Sequence, residues 1–415
     1  MNKKHNLINL NFKHQSGFSI VELMIAVVIG LIIITGLITV FDTTSKMNRT
    51  QNGLARIQEN GRFALLNMKQ NIEQAGYQYC MSSGENSKES VTGTIQRPWT
   101  VYTAQAVFPG VVVDPANNFF DTANLIHGHE CGASACLPDF NSPGSDTSYA
   151  VPAIGSGDGE RLPTTDVLSF RFISGSGREV DSIQSVPNVS ATINMSTYST
   201  TNSTGIIPSN GRVLIASCND KPLVAADVSS SSASAVVVNL PAGVDQIEGS
   251  AASLTRVFDL DRDVRSITYY VANNIVDGRS IPTLYSVNNG TVNALVEGVD
   301  RFDVLYGVGS GFGATKGIQF LTADQVETMD TALCRPLELP FVNTVGCGWR
   351  GVEVIQIHML LNTIQNSSMS EEEEFVYSVD GDGYQKPSDL ATGIDTYQMY
   401  RREFMATIAL KNSSR

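Results

Sequence analysis

One apolar run near the N-terminus constrains the fold of this chain more than any other feature. From Phe18 to Phe41 the only ionisable side chain is that of Glu22. About 20 apolar residues are enough to cross a bilayer as a helix, so the run is long enough to span a membrane. A carboxylate inside the hydrocarbon costs roughly 2.5–3.5 kcal/mol on insertion scales and usually has a partner. The position of Glu22 therefore requires an explanation.

The residues on either side of the run predict its orientation. Lys3, Lys4 and Lys13 precede it without any acidic residue. By the positive-inside rule this leader stays in the cytoplasm, and the chain from about residue 45 onward lies outside. The run is too long for an ordinary cleaved signal and has no Ala-x-Ala ending. A plain uncleaved anchor would explain the orientation but not Glu22.

The start of the run carries a resemblance to a known family. Residues 17–24 read Gly-Phe-Ser-Ile-Val-Glu-Leu-Met, which resembles the cleavage motif of type IV prepilins and of type II secretion pseudopilins. The resemblance implies that a prepilin peptidase cuts between Gly17 and Phe18 and N-methylates Phe18. Gly17 offers no side chain to obstruct that enzyme. Glu22 would neutralise the N-terminal ammonium of a neighbouring subunit, which would offset the cost of burying its charge.

The helix is expected to continue beyond the membrane. From Asp42 to about Tyr77 there is no proline, and apolar residues recur with helical spacing. The predicted stripe consists of Leu54, Ile57, Ala64, Leu65, Met68, Ile72 and Ala75. Residues 56–63 and 75–77 resemble the PilW family of minor pilins, whose helix carries Arg-x-Gln-Glu-Asn-Gly-Arg-Phe and ends in Ala-Gly-Tyr.

The rest of the chain predicts a β-rich domain. Alternating or continuous apolar runs predict strands at 166–172, 211–218, 236–240, 266–271, 283–287, 299–307, 352–361 and 402–410. Residues 322–325 have the spacing of a capping box and predict a short helix. Residues 80–165 read as loop with short strands, and the Ser/Thr/Asn-rich segments 196–204 and 229–234 as exposed linkers. Antiparallel strands packed on one long N-terminal helix make an α+β fold.

The PilW resemblance extends into these strands in patches. They are Val213–Cys218, Leu295–Asp300, Tyr306–Val308, Trp349–Val352 and Arg401–Phe404. The domain organisation that follows is a cleaved leader (1–17), a membrane and assembly half of the helix (18–41), an amphipathic half (42–79) and an exported β-rich domain (80–415).

The net charge of the chain limits the kinds of molecule that it is expected to bind. The chain has 28 Lys and Arg against 41 Asp and Glu, a net charge of −13. Direct nucleic-acid binding is not expected, because neutralising phosphates requires clustered basic residues. The family resemblance implies other partners: minor and major pilins, the prepilin peptidase, and the inner membrane with its pilus assembly platform.

Six cysteines lie beyond the apolar run, on the predicted exported side, where disulfides are expected. Cys131 and Cys136 are predicted to close a small loop, and Cys334 and Cys347 another, which leaves Cys80 for Cys218. The alternative at the first pair is zinc, because His127 and His129 precede Cys131 and could complete four ligands.

Two acidic motifs and the remaining histidines give little support for a metal site or a catalytic site. Asp380-Gly-Asp382-Gly is predicted to be a tight turn, with calcium as the alternative. The acids of Asp259–Asp263 are predicted to form ion pairs on a solvated face. His358 lies in an apolar strand and reads as a core residue. Without a Gly-x-Ser-x-Gly elbow or a phosphate loop, no catalytic residue and no cofactor is expected.

The sequence therefore predicts a minor pilin, not an enzyme, that helps prime the type IV pilus and is incorporated into it. It would stay in the inner membrane before reaching the pilus. A role near the tip in twitching motility, adhesion or DNA uptake is what the resemblance implies. The alternatives are a type II secretion pseudopilin and a membrane-anchored exported binding protein.

Overall fold

The computed structural model describes a large part of the chain. The described residues are 17, 19–77, 79, 102–103, 126–140, 151–187, 189–195, 207–218, 224–240, 247, 249–310, 317–329, 347–364, 374–381, 383–389 and 399–412. The chain divides into two compact units, Met1–Asn52 and Gly53–Arg415.

Helix α1 (Ile20–Ile72) runs through both units and confirms the predicted long helix. In the second unit the residues that face the domain are Ile57, Gly61, Ala64, Met68 and Ile72. All but Gly61 belong to the predicted stripe, and Ala75 continues it just beyond the helix end with 1% exposure. The amphipathic pattern thus selects the face of the helix that is buried.

The helix ends where a glycine can adopt a left-handed conformation. Gly76 has a φ of +75°, which suits a residue without Cβ just after a helix. Its N–H donates to the carbonyl of Arg171 at 2.9 Å, and the N–H of Ile173 donates to the carbonyl of Tyr77 at 2.8 Å. The Ala-Gly-Tyr motif therefore joins the end of the helix to the sheet.

The remaining elements are mostly strands. In chain order they are β1 (Tyr102–Thr103), β2 (Ile126–Cys131), β3 (Cys136–Leu137), β4 (Val167–Ile173), β5 (Arg178–Val186), β6 (Ser190–Met195), β7 (Arg212–Ala216), β8 (Val224–Ser231), β9 (Ala235–Asn239), β10 (Arg256–Asp259), β11 (Val264–Val276), β12 (Arg279–Asn288), β13 (Thr291–Glu297), β14 (Val299–Ser310), β15 (Gly317–Leu321), β16 (Val352–Asn362), β17 (Phe375–Val376), β18 (Tyr384–Gln385) and β19 (Arg401–Ala409). Short helices α2 (Leu260–Asp263) and α3 (Ala323–Glu327) and 3₁₀ turns at Ala251–Ser253, Cys347–Gly351, Ser378–Asp380 and Pro387–Asp389 complete the described elements.

Two antiparallel sheets share one core with α1. The first has the strand order β13-β12-β11-β4-β2-β3, and the second β15-β14-β16-β19. Their buried side chains form one cluster with those of the helix, including Phe170, Tyr269, Phe302 and Ile357. This architecture confirms the predicted α+β class.

A closed β-barrel, which the sequence did not predict, occupies the middle of the chain. Six strands pair in the ring β8-β7-β10-β5-β6-β9, and β9 pairs again with β8. All six pairings are antiparallel. Alternate side chains fill the interior, such as Val180, Ile193, Val213 and Val236, each fully buried. Closure leaves each of the six strands paired on both sides.

The barrel is an insertion between two neighbouring strands of the first sheet. Ile173 at the end of β4 pairs with Val264 at the start of β11. The next residue, Ser174, donates its N–H to the carbonyl of Asp263 at 2.7 Å. Residues 175–262 therefore leave the sheet and return to it at one point, where a short turn would have been enough to connect the strands.

The local predictions have mixed outcomes. The predicted strands from 166–172 onward all correspond to observed strands, and α3 has the capping box predicted at Thr322. The linker predicted at 229–234 is wrong in part, because Ser229–Ser231 belong to β8, although Ser229 and Ser230 are exposed. Residues 196–204 lie outside the described part of the chain.

Candidate functional site

The N-terminal end of α1 carries the predicted processing and assembly residues. Ser19 caps the helix: its hydroxyl accepts a hydrogen bond from the N–H of Val21 at 3.3 Å. Glu22 Oε2 accepts the N–H of Ser19 at 3.0 Å. Ser-x-x-Glu is a capping box, and this signal is present in the sequence although it was not among the predicted features. Glu22 thus has a role within its own chain, which is to hold the first turn.

Gly17 lies directly before this cap, and Phe18 is outside the described residues. Gly17 is exposed, and a Cβ built on it would meet no atom within 4 Å. A larger residue at 17 would therefore not disturb the folded chain. Any requirement for glycine at this position must come from something that acts on the chain.

The helix that follows exposes an unusual amount of apolar surface. Sixteen large apolar residues are each more than half exposed: Ile20, Val21, Leu23, Met24, Ile25, Val27, Val28, Ile29, Leu31, Ile32, Ile33, Ile34, Leu37, Ile38, Val40 and Phe41. The helix is long and apolar enough to cross a membrane. A surface of this size needs lipid or other apolar helices around it, because soluble monomers rarely expose patches of more than a few hundred Å².

In the second unit, the helix motif and the C-terminal motif meet. A Cβ built on Gly61 would lie 2.6 Å from ring carbons of Phe404. The glycine of the Gln-Glu-Asn-Gly-Arg-Phe run therefore leaves room for the phenylalanine of the Arg-Arg-x-Phe run. No local pattern in the sequence pairs these two motifs, which are separated by more than 300 positions.

The remaining motif residues form a buried polar network in the second sheet. Arg401 Nε donates to Asp300 Oδ2 at 2.7 Å, and both side chains are 0% exposed. Asn362 Nδ2 donates to the other oxygen of Asp300 at 2.7 Å. Gly298, with a φ of +82°, packs against Asn362. The network joins β14, β16 and β19, which are consecutive strands of the second sheet.

Trp349 anchors a second buried network. Its indole N–H donates to Glu327 at 2.7 Å, and His127 Nε2 lies 3.7 Å from the same carboxylate oxygen. Burial raises the pKa of Glu327, but the hydrogen bonds from His127 and Trp349 outweigh it and leave the pKa below its usual range. These contacts join β2 to α3 and to the 3₁₀ turn at Cys347–Gly351.

The cluster predicted as a disulfide or a zinc site contains a disulfide. Cys131 and Cys136 are bonded to each other, so their sulfurs are not thiolate ligands in this structure. His129 Nδ1 donates to the carbonyl of Pro138 at 2.7 Å, and burial, with His127 beside it, lowers the pKa of His129 to about 3. In the described part of the chain, no three His, Cys, Asp or Glu side chains are placed to hold a metal.

The other two predicted cysteine pairs involve residues outside the part of the chain that the structure describes. Cys218 is disulfide-bonded. Cys80 and Cys334 are not described, and nothing is described of the Cys347 side chain, so the pairs Cys80–Cys218 and Cys334–Cys347 stay predictions.

An acidic cluster ties the two sheets together. Asp166, 3% exposed, accepts the N–H of Cys131 at 3.0 Å and that of Val304 at 2.9 Å. Burial, with Asp303 and Glu130 nearby, raises the pKa of Asp166 well above its usual value. Burial and the charges of Asp303 and Asp324 raise the pKa of Glu130 to about 7. No pattern in the sequence indicates that these carboxylates are close together.

The other predicted polar sites have structural roles. His358 is buried, as predicted, and its Nδ1 lies 2.8 Å from Glu403. Asp380 accepts a hydrogen bond from Arg301 at 3.3 Å; Asp382 is outside the description. The solvated face predicted for Asp259–Asp263 is wrong, because Asp259 and Asp263 are 6% and 7% exposed. The N–H of Asp259 donates to Asp263 at 3.0 Å, which fixes the turn of α2.

Comparisons with known families match both ends of the chain. Residues 12–38 match the model described as Prokaryotic N-terminal methylation motif, and residues 268–412 the model described as Type IV Pilus-assembly protein W. No curated protein and no solved structure matches the chain. The first match contains Gly17 and Glu22, and the second contains the Asp300 network together with Trp349 and Glu327. Together the two matches support a type IV pilin of the PilW family, and its N-terminal helix is long and apolar enough to span a membrane.

Proposed function

We propose that this chain is a minor pilin that helps prime assembly of the type IV pilus and is incorporated into it near the tip. The observation that carries the proposal is the N-terminal helix: a cleavage-type sequence at Gly17, a carboxylate one turn into the helix, and an apolar surface that needs partners. In the pilus the protein would support twitching motility, adhesion or DNA uptake.

Processing would convert the membrane precursor into a subunit. The peptidase removes residues 1–17 and methylates the new N-terminus at Phe18. Residues 18–41 stay in the inner membrane until the assembly platform extracts them, while the domain from residue 80 onward faces the periplasm. The exposure of Gly17 supports this step, because a protease needs access to the scissile bond.

Glu22 would exchange partners during assembly. In the isolated chain its carboxylate accepts the N–H of Ser19. Next to the neighbouring major or minor pilin, it would accept the ammonium of that subunit's first residue instead. A charged donor makes a stronger hydrogen bond than a neutral amide, and the pairing removes the cost of a lone carboxylate in an apolar setting.

The decisive test separates the charge of Glu22 from its role as a cap. Glu22→Gln keeps a carbonyl oxygen that can accept the Ser19 N–H but removes the negative charge. We expect both Glu22→Gln and Glu22→Ala to lose incorporation into pili, measured by immunoblots of sheared pili and by pilus counts. Glu59→Ala, on an exposed face of the same helix, is the matched control. Normal incorporation of Glu22→Gln would contradict charge neutralisation.

Processing is tested at Gly17. Because a Cβ at this position meets nothing, Gly17→Ala leaves the fold intact, and we expect the unprocessed precursor to accumulate. Gly36→Ala, also without steric contact, is the control and should be processed normally. Mature protein beginning at Phe18 in normal amounts from Gly17→Ala would refute the assignment.

A deletion strain separates the pilus role from the pseudopilin alternative. Loss of surface pili with normal protein secretion supports the proposal. Normal pili with defective secretion would support a type II secretion pseudopilin. Normal pili and normal secretion would leave a membrane-anchored exported binding protein.

A further inference from the structure

Strand β15 differs from the other edge strands of the two core sheets. Native edge strands are usually protected by charge, proline, a bulge or shortness, because their outer backbone groups can pair with another strand. Among the described edges, β19 contains three charged residues at 401–403, β13 ends in Glu297, and β3 is two residues long. β15 reads Gly-Ile-Gln-Phe-Leu over five residues and has none of these devices.

Two apolar side chains of β15 are exposed on one face of the sheet. Ile318 is 48% exposed and Phe320 is 41% exposed. Both lie against Gly307 of β14, where a Cβ would meet Ile318 at 2.8 Å and Phe320 at 3.3 Å. Because Gly307 has no side chain, those of Ile318 and Phe320 pack directly over its backbone, on the face of the sheet opposite the buried Tyr306 and Val308.

This apolar surface continues across the sheet. Gly307 pairs with both Phe320 and Val354, and the row beside it contains Leu305, Gln356 and Thr407. Beyond them is Met405, 54% exposed, whose sulfur lies 3.4 Å from Gln356 Nε2. No side chain in this group is ionisable, although 17% of the chain is charged.

The chain itself covers the other half of the same face. Tyr377 packs over Arg301, with 5.1 Å between the guanidinium and the ring centroid, and its hydroxyl donates to Asp303. Ser378 donates its N–H to Glu403 at 3.1 Å. The charged side chains on this face therefore have partners within the chain, whereas the uncharged part of the face is exposed.

We propose that β15 and the adjacent uncharged face bind an extended, uncharged strand from a neighbouring pilin subunit, which adds to the edge of the four-stranded sheet. The backbone groups of an edge strand are matched by another strand, and the apolar side chains exposed on one face of β15, Ile318 and Phe320, add affinity. The absence of charge excludes a basic or acidic peptide, since interface cores are depleted in charged residues. A neighbouring subunit is the occupant because helix-anchored subunits hold their domains at high effective concentration. The inference thus rests on the proposed pilin function.

Photo-crosslinking in cells tests the occupant. p-Benzoylphenylalanine is placed at Phe320 in the full-length chain, with Val292 as the control because it is 46% exposed on β13, an edge of the other sheet. We expect a light-dependent adduct at Phe320 with a different pilin subunit, identified by mass spectrometry, and at least a tenfold weaker one at Val292. Equal adducts at both sites, an adduct only with a second copy of this chain, or no adduct while pili are normal would overturn the inference.

Charge substitution provides the second measurement. Ile318→Lys with Phe320→Lys would place ammonium groups on the pairing edge, and their desolvation opposes docking. We expect incorporation to fall on the order of tenfold, the effect of about 1.4 kcal/mol, whereas Val292→Lys has no effect. Trp349 fluorescence verifies folding. Unchanged incorporation of the double variant would refute the edge proposal alone, whereas a deletion strain with normal pili would refute the pilin function itself.

Discussion

The buried ion pair between Arg401 and Asp300 gives the sharpest test of how the domain is held together. Both side chains are 0% exposed and lie 2.7 Å apart. Removing one member of such a pair leaves a charge buried without its counterion, which costs roughly 3–5 kcal/mol. We therefore expect Arg401→Met and Asp300→Asn each to destabilise the domain by about that amount. Domains of this size have only about 5–15 kcal/mol of stability, so the loss is large.

The double variant tests whether Arg401 and Asp300 stabilise the domain as a pair. Asp300→Asn together with Arg401→Met leaves no buried charge, and the new amide oxygen can still accept the hydrogen bond from Asn362. We expect the double variant to lose less free energy of unfolding than either single variant. If the two single losses were instead additive to within about 0.5 kcal/mol, the residues would not be coupled and the reasoning would be refuted.

Urea unfolding of the full-length protein in detergent provides the assay. Trp349 is 1% exposed and packs against Tyr306 and His127, so its emission reports the loss of the core. A Trp99→Phe background makes it the single reporter. Lys386→Met is the control, since its ion pair with Glu374 is more than half exposed and should contribute within about 0.5 kcal/mol.

Three further outcomes are expected from the same assay. Gly61→Leu should cost about 1–3 kcal/mol by overpacking against Phe404, and Phe404→Ala should restore part of that loss; equal losses in both backgrounds would contradict the contact. Replacing Cys131 and Cys136 by serine should cost about 2 kcal/mol, since the bond closes a loop with a separation of only 5; no change on reduction or replacement would contradict a structural role. Because the folded pKa of Glu130 is raised from 4.5 to about 7, its ionisation destabilises the fold fully above pH 7 and not below pH 4.5. Glu130→Gln should therefore stabilise by roughly 1–2 kcal/mol at pH 8, after allowance for partial exposure, with the gain lost as the pH falls toward 4.5; a gain independent of pH would contradict the pKa.

Local patterns in the sequence predicted the helix, the membrane run and the strands of the core. A helix that must bury one face repeats apolar residues every three or four positions, and this identified Ile57, Ala64 and Met68 as core residues. The strand at 352–361 was predicted from its mostly apolar composition, which is typical of a central strand.

The barrel could not be predicted in this way. Its strands are short and carry serine, threonine and asparagine on their outer faces, as in Ser190–Met195. Such composition is also typical of linkers, and only pairing around a closed ring distinguishes the two. The composition of Ser229–Ser231 therefore predicts a linker, whereas these residues belong to strand β8.

The sequence by itself determined the class of the protein, because the residues of the methylation motif and of the apolar run are contiguous. Gly17, Glu22 and the apolar run follow one another within a short stretch of chain, so their pattern is readable without a fold. The tertiary structure alone decided which distant residues meet: Gly61 with Phe404, Arg401 with Asp300, and the carboxylates around Asp166. Those contacts depend on strand order and register, which long-range packing sets and no local pattern encodes.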